Sequence, residues 1–320
     1  MADGRLPGTL FAFSRSVPTS PIPAFVNPAS GSGEAAQAAL SENSAFDVEA
    51  CDADTLERRI EQAVRDGAER IVVAGGDGTI AKAAASLAGT ESALAVVPGG
   101  TLNHFARDHG VPVDHKEAAE AAVSGPIVAA DVAYVNDRLF LNTSSVGAYV
   151  LFVRTRERLE RYIGYRLATI VAGFRLLGIV RPFTVELELD GVARRYRSSL
   201  VFVGVGEREL QLPSMGSRAE KGRRGLHVIV VRGGTWARLV AAGWVAAVRG
   251  NAAIARGSLA DSSVVDECRI ELRRRVGRVA VDGELVSMTS PLEYRIARDA
   301  LRIVVPPPTP RTEPDAERGA

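Results

Sequence analysis

Short runs of apolar residues alternate with alanine-rich amphipathic segments over the first 126 residues or so of the chain. The apolar runs predict strands and the alanine-rich segments predict helices. The predicted strands are 22–26, 45–51, 70–74 and 93–97, and the predicted helices are 34–40, 55–66 and 79–87. Alternating strands and helices are typical of a parallel sheet with helices on both faces. We therefore predict an α/β domain over residues 20–126.

After Pro126 the pattern changes to strands joined by tight turns. The predicted strands are 128–135, 139–143, 183–189, 196–204, 226–231, 264–272 and 276–281, and two helical stretches, 154–177 and 236–248, interrupt them. Asn136-Asp137 and Asp190-Gly191 are hairpin signals. The pattern predicts a second, β-sandwich-like domain over residues 127–291, with 292–306 returning to the first domain. The ends, 1–19 and 307–320, are rich in proline and polar residues and are predicted to be disordered.

Three predicted strands of the first domain end in loops of small residues. These are the 27–31 loop, Asn27-Pro28-Ala29-Ser30-Gly31, the 75–79 loop, Gly75-Gly76-Asp77-Gly78-Thr79, and the 98–103 loop, Pro98-Gly99-Gly100-Thr101-Leu102-Asn103. The carboxyl ends of parallel strands share one edge of a sheet, where such proteins bind ligands. Glycine-rich loops that lead into helices expose backbone N–H groups suited to phosphate. The loops together predict a phosphate-binding crevice, although a structural turn is an alternative for the 27–31 loop.

Three carboxylates are candidates for chemistry. Asp77 lies inside the 75–79 loop, while Asp282 and Glu284 stand two residues apart in the second domain. A carboxylate that faces the crevice can deprotonate a hydroxyl group. Asp282-Gly283 is also an ordinary hairpin signal, so a purely structural turn is the alternative there. For His104, a packed or hydrogen-bonded role is favoured over catalysis.

These motifs resemble the bacterial members of the diacylglycerol kinase catalytic-domain family, which also includes the sphingosine kinases. Besides the three loops, the resemblance includes Asp131-Val132, the segment Phe140-Leu141-Asn142-Thr143-Ser144-Ser145-Val146-Gly147 and Asp282-Gly283-Glu284. It runs in order from about residue 22 to residue 305. The family resemblance implies an ATP-dependent kinase of lipid hydroxyls, with a first domain related to NAD kinase and phosphofructokinase.

The resemblance also implies roles for individual residues. ATP would be held by Asn27, Ser30, Gly31, Gly75, Gly76, Asp77, Gly78, Thr79, Gly100, Thr101 and Asn103. Asp77 would act through Mg²⁺ or a water network. Asp282 or Glu284 would take the hydroxyl proton, with Asp282 favoured, although in some relatives the carboxylate of the glycine-rich loop is proposed for this role.

Three departures from the family pattern stand out. His104 occupies a position where many relatives carry aspartate, and the segment 204–209 replaces a stretch richer in amides. Arg223 and Arg224 occupy the place where relatives with a structural Mg²⁺ carry aspartates. Because a cation cannot coordinate Mg²⁺, we predict no separate structural Mg²⁺ site, and a guanidinium group would then replace the charge of the ion.

Composition restricts the partners of the chain. A net charge of +1 gives no overall attraction to nucleic acid. Cys51 and Cys268 are too few for a disulfide framework, which fits a reducing cytoplasm. No window holds the roughly 20 apolar residues of a membrane span. We therefore expect a cytoplasmic protein that reaches a membrane lipid peripherally, from the inner face of the membrane.

Arginine groups at 154–166, 194–197 and 269–278 are candidates for contact with anionic headgroups, and Trp236 and Trp244 for contact with the bilayer interface. Solvated faces and core packing are the alternatives. The sequence does not identify the lipid, and it leaves a homodimer open. The competing functions are an NAD kinase-like or sugar-phosphate kinase and a catalytically silent nucleotide-binding relative.

Overall fold

The computed structural model describes residues 20–147, 182–209, 217–219, 221–233, 260–273 and 275–307, together with scattered helical positions between 150 and 172. The predicted helix at 236–248 lies outside these residues. So do the predicted disordered ends, apart from residue 307. Within the described part of the chain, no helix is long and apolar enough to cross a lipid bilayer.

The first part of the chain is an alternation of strands and helices. Its elements are β1 (Ile22–Val26), α1 (Gly33–Ser41), β2 (Phe46–Ala50), α2 (Leu56–Arg65), β3 (Arg70–Gly75), α3 (Asp77–Leu87), β4 (Ala93–Pro98), α4 (His104–Asp108) and α5 (His115–Ser124). The predicted strands and helices are confirmed to within two residues. Sequence reasoning missed α4 and α5. The α5 helix did carry a signal, because the Asp114 carboxylate before it accepts the N–H groups of Lys116 and Glu117 as an N-cap.

The strands β2, β1, β3 and β4 pair in parallel in that spatial order. Every residue of β3 and β4 is buried, as in strands covered on both faces. Gly75 pairs with Pro98 at the end of the two central strands, so the 75–79 and 98–103 loops begin side by side. The parallel sheet therefore brings its loops to one edge.

The rest of the chain is mainly antiparallel. Its strands are β5 (Ile127–Val135), β6 (Arg138–Phe140), β7 (Thr143–Gly147), β8 (Phe183–Leu189), β9 (Val192–Val205), β10 (Leu226–Arg232), β11 (Ala260–Val265), β12 (Glu267–Leu272), β13 (Val276–Val281), β14 (Glu284–Thr289) and β15 (Leu292–Val304). The Asp190-Gly191 hairpin joins β8 to β9, with both residues at positive φ. Sequence reasoning missed β14, which pairs with β13 around the turn at Asp282-Gly283.

The strands form one continuous hydrogen-bonded path in which β15 links the two parts. β15 pairs with β12 near its start, with β5 along most of its length and with β4 near its end. Two clusters of buried apolar residues, one on each side of this link, form the cores. The α/β class with a further antiparallel region is confirmed, and the two regions share this strand.

Candidate phosphate-binding and phosphoryl-transfer site

The three glycine-containing loops meet at the carboxyl edge of the parallel sheet. The backbone N–H of Asn27 donates to the carbonyl oxygen of Ala74 at 3.0 Å, and that of Gly99 donates to Gly75 at 2.8 Å. Ser32, just after the 27–31 loop, donates its N–H to the carbonyl oxygen of Gly99 at 3.0 Å. The loops are therefore bonded to one another through their backbones.

Glycine is required where these loops pack together. A Cβ atom on Gly100 would lie 2.7 Å from the Cα of Gly76 and 3.0 Å from the Asn103 Oδ1 atom. A Cβ atom on Gly33, at the start of α1, would lie 2.4 Å from the carbonyl oxygen of Asn27. The closest contact at each position is with a backbone atom. A side chain at Gly100 would separate the 98–103 loop from the 75–79 loop, and one at Gly33 would distort the 27–31 loop.

Polar side chains of the loops hold the loops themselves. The Asn27 Nδ2 group donates to Thr79 Oγ1 at 3.1 Å, and Ser30 Oγ donates to the carbonyl oxygen of Asn27 at 2.7 Å. Asn103, at φ 50°, bonds both the N–H and the carbonyl oxygen of Gly100 through its side chain. Thr101, between them, is exposed. The structure thus brings together the residues predicted to hold ATP, and it gives Asn27, Ser30 and Asn103 a role in fixing the loops.

The α3 helix begins inside the 75–79 loop. Asp77 is its first residue and Gly76, in an extended conformation, precedes it. The N–H groups of the first helical turn have no acceptor within the helix and carry the positive end of the helix dipole. The Asp77 Oδ1 atom accepts a long hydrogen bond of 3.5 Å from the N–H of Phe105 in α4. The loop therefore presents backbone donors beside a half-buried carboxylate.

Both oxygens of the Asp282 carboxylate are held by backbone N–H groups. Its Oδ2 atom accepts the N–H of Leu141 at 2.7 Å, and its Oδ1 atom accepts those of Asn142 and Thr143 at 2.8 and 2.9 Å. Asp282 is partly exposed as a whole residue, but its carboxylate is enclosed. Burial raises the pKa of Asp282, which the three N–H groups and the charge of Arg208 partly oppose. The carboxylate joins the β13–β14 turn to the segment before β7.

Glu284, two residues later, is in the opposite situation. Its side chain is 52% exposed and its Oε2 atom accepts a hydrogen bond of 2.6 Å from Arg138 Nη2. Its Oε1 atom would lie 2.9 Å from a Cβ placed on Gly78, so this carboxylate reaches the 75–79 loop. The second domain therefore contributes one solvent-accessible carboxylate to the crevice, next to α3.

Between α3 and the β13–β14 hairpin lies a cavity of about 540 Å³. Its walls are largely apolar and include Ala81, Ala85, Leu139 and Met288. Gly78, Lys82, Arg138, Asp282 and Glu284 also line it. An apolar cavity with a few convergent polar groups is the usual form of a small-molecule site.

No group of three or more histidine, cysteine or acidic side chains among the described residues is arranged to hold a metal ion. Mg²⁺ in nucleotide-dependent enzymes is usually held by one or two carboxylates and by the phosphates of the substrate. Asp77 lies beside the backbone donors of the 75–79 loop, so it could serve as the one carboxylate that such a Mg²⁺ needs.

The arginines that replace family aspartates form ion pairs. The Arg224 guanidinium bonds Asp131 through Nε at 2.9 Å and through Nη2, and it also bonds Asp299 at 2.7 Å. Asp131 is 3% exposed and accepts the N–H of Asp299 as well. Burial alone would raise the pKa of Asp131, but Arg224 and that N–H hold it below its usual value. A guanidinium group thus lies against these carboxylates.

Sequence reasoning missed two arginines at the site, Arg138 and Arg208. Arg138 follows the hairpin turn at Asn136-Asp137, and nothing in the pattern distinguishes it. Arg208 lies in the segment 204–209, whose departure from the family pattern was visible, and it pairs with Asp108 at 2.5 Å. His104 is exposed and lies at the start of α4.

Residues 21–135 match the model of the diacylglycerol kinase catalytic domain. A probable lipid kinase YegS-like of Cronobacter sakazakii is 30% identical over 155 residues, which cover 47% of this chain and 51% of the relative. The diacylglycerol kinase of Bacillus subtilis is 34% identical over 145 residues, which cover 44% of this chain and 47% of the relative. The diacylglycerol kinase of Mycobacterium tuberculosis is 31% identical over 183 residues, which cover 53% of this chain and 59% of the relative. The aligned part spans about half the length of these curated relatives.

Solved structures extend the likeness to the whole fold. A diacylglycerol kinase structure from Bacillus anthracis aligns with a TM-score of 0.65 at 22% identity, covering 90% of this chain and 97% of that one. A second Bacillus anthracis structure aligns with a TM-score of 0.70 at 23% identity, covering 90% and 98%. The fold is therefore shared across both parts of the chain. Residues 21–135, which carry the three bonded loops, are therefore similar in sequence to the diacylglycerol kinase catalytic domain.

Proposed function

We propose that this protein is an ATP-dependent lipid kinase, which transfers the γ-phosphate of ATP to the hydroxyl group of a lipid. One observation carries the proposal. The phosphate-binding loops of the first domain meet a carboxylate of the second domain, Glu284, at Gly78. A phosphate donor on the loops and a hydroxyl acceptor beside Glu284 would then lie next to each other.

The loops would do most of the catalytic work. Phosphoryl transfer demands little covalent chemistry from the protein, and its rate depends on positioning and on neutralising charge. The N–H groups at the start of α3 are suited to the phosphates of ATP, and the bonds among the loops keep those groups in place. Mg²⁺, brought with ATP and held by Asp77, would add positive charge at the phosphates.

We assign the acceptance of the hydroxyl proton to Glu284. Asp282 is the weaker candidate because both of its oxygens already accept backbone N–H groups in an enclosed position. Glu284 keeps an exposed carboxylate at the crevice, and its Oε2 atom accepts a hydrogen bond from Arg138. In this assignment Asp282 holds the hairpin and Glu284 contacts the reacting hydroxyl.

The lipid acceptor implies contact with a membrane, which we place at its inner face. Described positions between 150 and 172 carry exposed apolar side chains, among them Tyr162 at 78% and Leu167 at 57% exposure. Arg194, Arg195 and Arg197 line a surface cleft on β9 with Arg232. Exposed apolar side chains and arginines are each suited to an anionic lipid surface.

The experiment is phosphate transfer from labelled ATP, with Mg²⁺, to a panel of lipid hydroxyls in mixed micelles. Diacylglycerol, phosphatidylglycerol and a sphingoid base form the panel, and NAD and a lipid-free sample run in parallel. Glu284→Gln tests the site, and Glu271→Gln, an exposed glutamate on β12, is the matched control.

The proposal is supported if the wild type transfers labelled phosphate to one lipid, Glu284→Gln does not, and Glu271→Gln still does. Label in NAD would replace it with the NAD kinase-like alternative. Binding of ATP without label in any acceptor would favour the catalytically silent alternative.

A further inference from the structure

A buried ion pair joins the two domains close to the crevice. Arg208, in the segment after β9, donates from Nη1 to Asp108 Oδ2 at 2.5 Å. Their side chains are 2% and 5% exposed, and Asp108 is the last residue of α4. The second oxygen of Asp108 accepts the backbone N–H of Arg218 at 3.1 Å. Charged groups are rarely buried to this extent unless they are paired, and this pair bonds α4 directly to the second domain.

The other end of α4 is fixed to the 75–79 and 98–103 loops. The N–H of Phe105 donates to Asp77, and Asn103, directly before the helix, is bonded to Gly100. The helix is only five residues long. It therefore connects Asp77 to Arg208 over little more than one helical turn.

Arg208 is in turn built into the second domain. Its backbone N–H donates to Nδ1 of His227, which is fully buried and whose Nε2 bonds Ser262 Oγ at 2.9 Å. Its side-chain stem packs on Gly204, where a Cβ atom would lie 2.7 Å from the Arg208 Cγ atom. The absence of a side chain at Gly204 makes room for the arginine.

Gly204 is connected to the β13–β14 hairpin through β7. It pairs with Thr143 across β9 and β7, and the N–H of Thr143 donates to Asp282. The positive charge of Arg208 also favours the ionised form of Asp282. Contacts therefore run without a break from Asp77 through α4 and Arg208 to the turn that bears Glu284.

We propose that Arg208 is a positioning residue for the reaction: by fixing α4 against the anchored turn at Asp282, it sets the separation between Asp77 and Glu284. This inference rests on the proposed kinase function. Arg208 is buried outside the three loops, so we expect its loss to change the rate of transfer more than the binding of ATP.

The main test is the double variant Asp108→Leu/Arg208→Met. Replacing both members of a buried ion pair by apolar residues often leaves stability unchanged or improved. The control applies the same two changes to the exposed pair Arg298–Asp266 in the second domain. Three quantities are measured in each folded protein: the ATP dissociation constant, kcat, and the hydrogen-exchange rates of the N–H groups of Phe105 and of residues 141–143.

For the double variant we expect an ATP dissociation constant within about threefold of the wild type and kcat lower by roughly 30- to 100-fold, since a shift of about 1 Å costs on the order of 10²-fold. The N–H groups of Phe105 and residues 141–143 should exchange at least about tenfold faster, because their local opening becomes easier. The control should match the wild type. Wild-type kcat and exchange rates in the folded double variant would overturn the inference.

Arg208→Lys serves if the double variant does not fold. Lysine keeps the charge but not the planar fork of donors. We then expect kcat to fall by about tenfold and exchange at Phe105 to rise, and unchanged values of both would overturn the inference. The exchange measurement needs no substrate, so a wild type without lipid kinase activity would refute the proposed function and leave this test intact.

Discussion

The two halves of the crevice use different chemical groups: backbone N–H and carbonyl groups in the first domain, and side-chain carboxylates in the second. The first-domain half is mostly backbone, with three loops bonded to one another through N–H and carbonyl groups and packed so closely that Gly100 has no room for a side chain. The second-domain half acts through side chains, with the carboxylate of Asp282 enclosed and that of Glu284 exposed. A backbone site is fixed by local conformation, whereas the role of a carboxylate is fixed by whatever surrounds it.

The strongest test of this contrast compares Asp282→Asn with Glu284→Gln. An amide at 282 keeps one oxygen for the N–H groups of Asn142 and Thr143 but turns an NH₂ group towards the N–H of Leu141. We therefore expect the free energy of unfolding to fall by about 1–3 kcal/mol. Glu284→Gln removes an exposed ion pair worth less than about 1 kcal/mol. It should nevertheless lower kcat by about 10²–10⁴-fold, the usual contribution of a general base.

Urea denaturation and steady-state kinetics measure the two effects. A fully stable Asp282→Asn variant with a selective loss of kcat would return the role of proton acceptor to Asp282. It would also remove the contrast between the two carboxylates.

The backbone half is tested by Gly100→Ala. The new Cβ would meet the Cα of Gly76, which cannot move without opening the 75–79 loop. We expect kcat/KM for ATP to fall by about 100-fold, as for other displacements of about 1 Å. An unchanged kcat/KM in the folded variant would show that the close contact between the loops is not needed to bind ATP.

Acidification should destabilise the packing around His227. Burial lowers the pKa of His227 to about 4, so His227 is neutral in the folded protein at pH 5.5. In the unfolded chain it takes up a proton below about pH 6.5, and stability is therefore lost as the pH falls from 6.5 towards 4. Between pH 7.5 and 5.5 this loss amounts to about 1 kcal/mol.

His227→Gln can accept from Arg208 and donate to Ser262 without titrating. The loss of unfolding free energy between pH 7.5 and 5.5 should therefore be smaller in the variant, by that same amount. Equal losses in both proteins would show that His227 is protonated in the folded state.

The smallest effect is expected for Gly78→Ala. The atom in the way of its Cβ is Glu284 Oε1, the end of a flexible side chain, so the obstruction can move aside. We expect kcat to fall by only about three- to fivefold, since the side chain shifts by a rotamer change and not by backbone movement. A loss as large as that of Gly100→Ala would mean that Glu284 is held as rigidly as the loops.

The same contrast explains what the sequence could predict. The strands and loops of the first domain follow from local patterns, and β3 and α3 were located with the 75–79 loop between them. Asp282 was recognised as a site residue, but its partners lie about 140 positions earlier in the chain, and no local pattern shows that its oxygens are occupied. Arg208 and Asp108 are 100 positions apart, so their pairing appears only in the fold.

β15 has a consequence for dissecting the protein. Its first residues pair with β12 and its last residues with β4, so a chain cut before Leu292 loses a strand from both regions at once. A peptide of residues 292–304 supplied separately would restore the missing strand in each. The protein is therefore a candidate for split-chain complementation, in which both regions assemble only when the peptide that carries β15 is present.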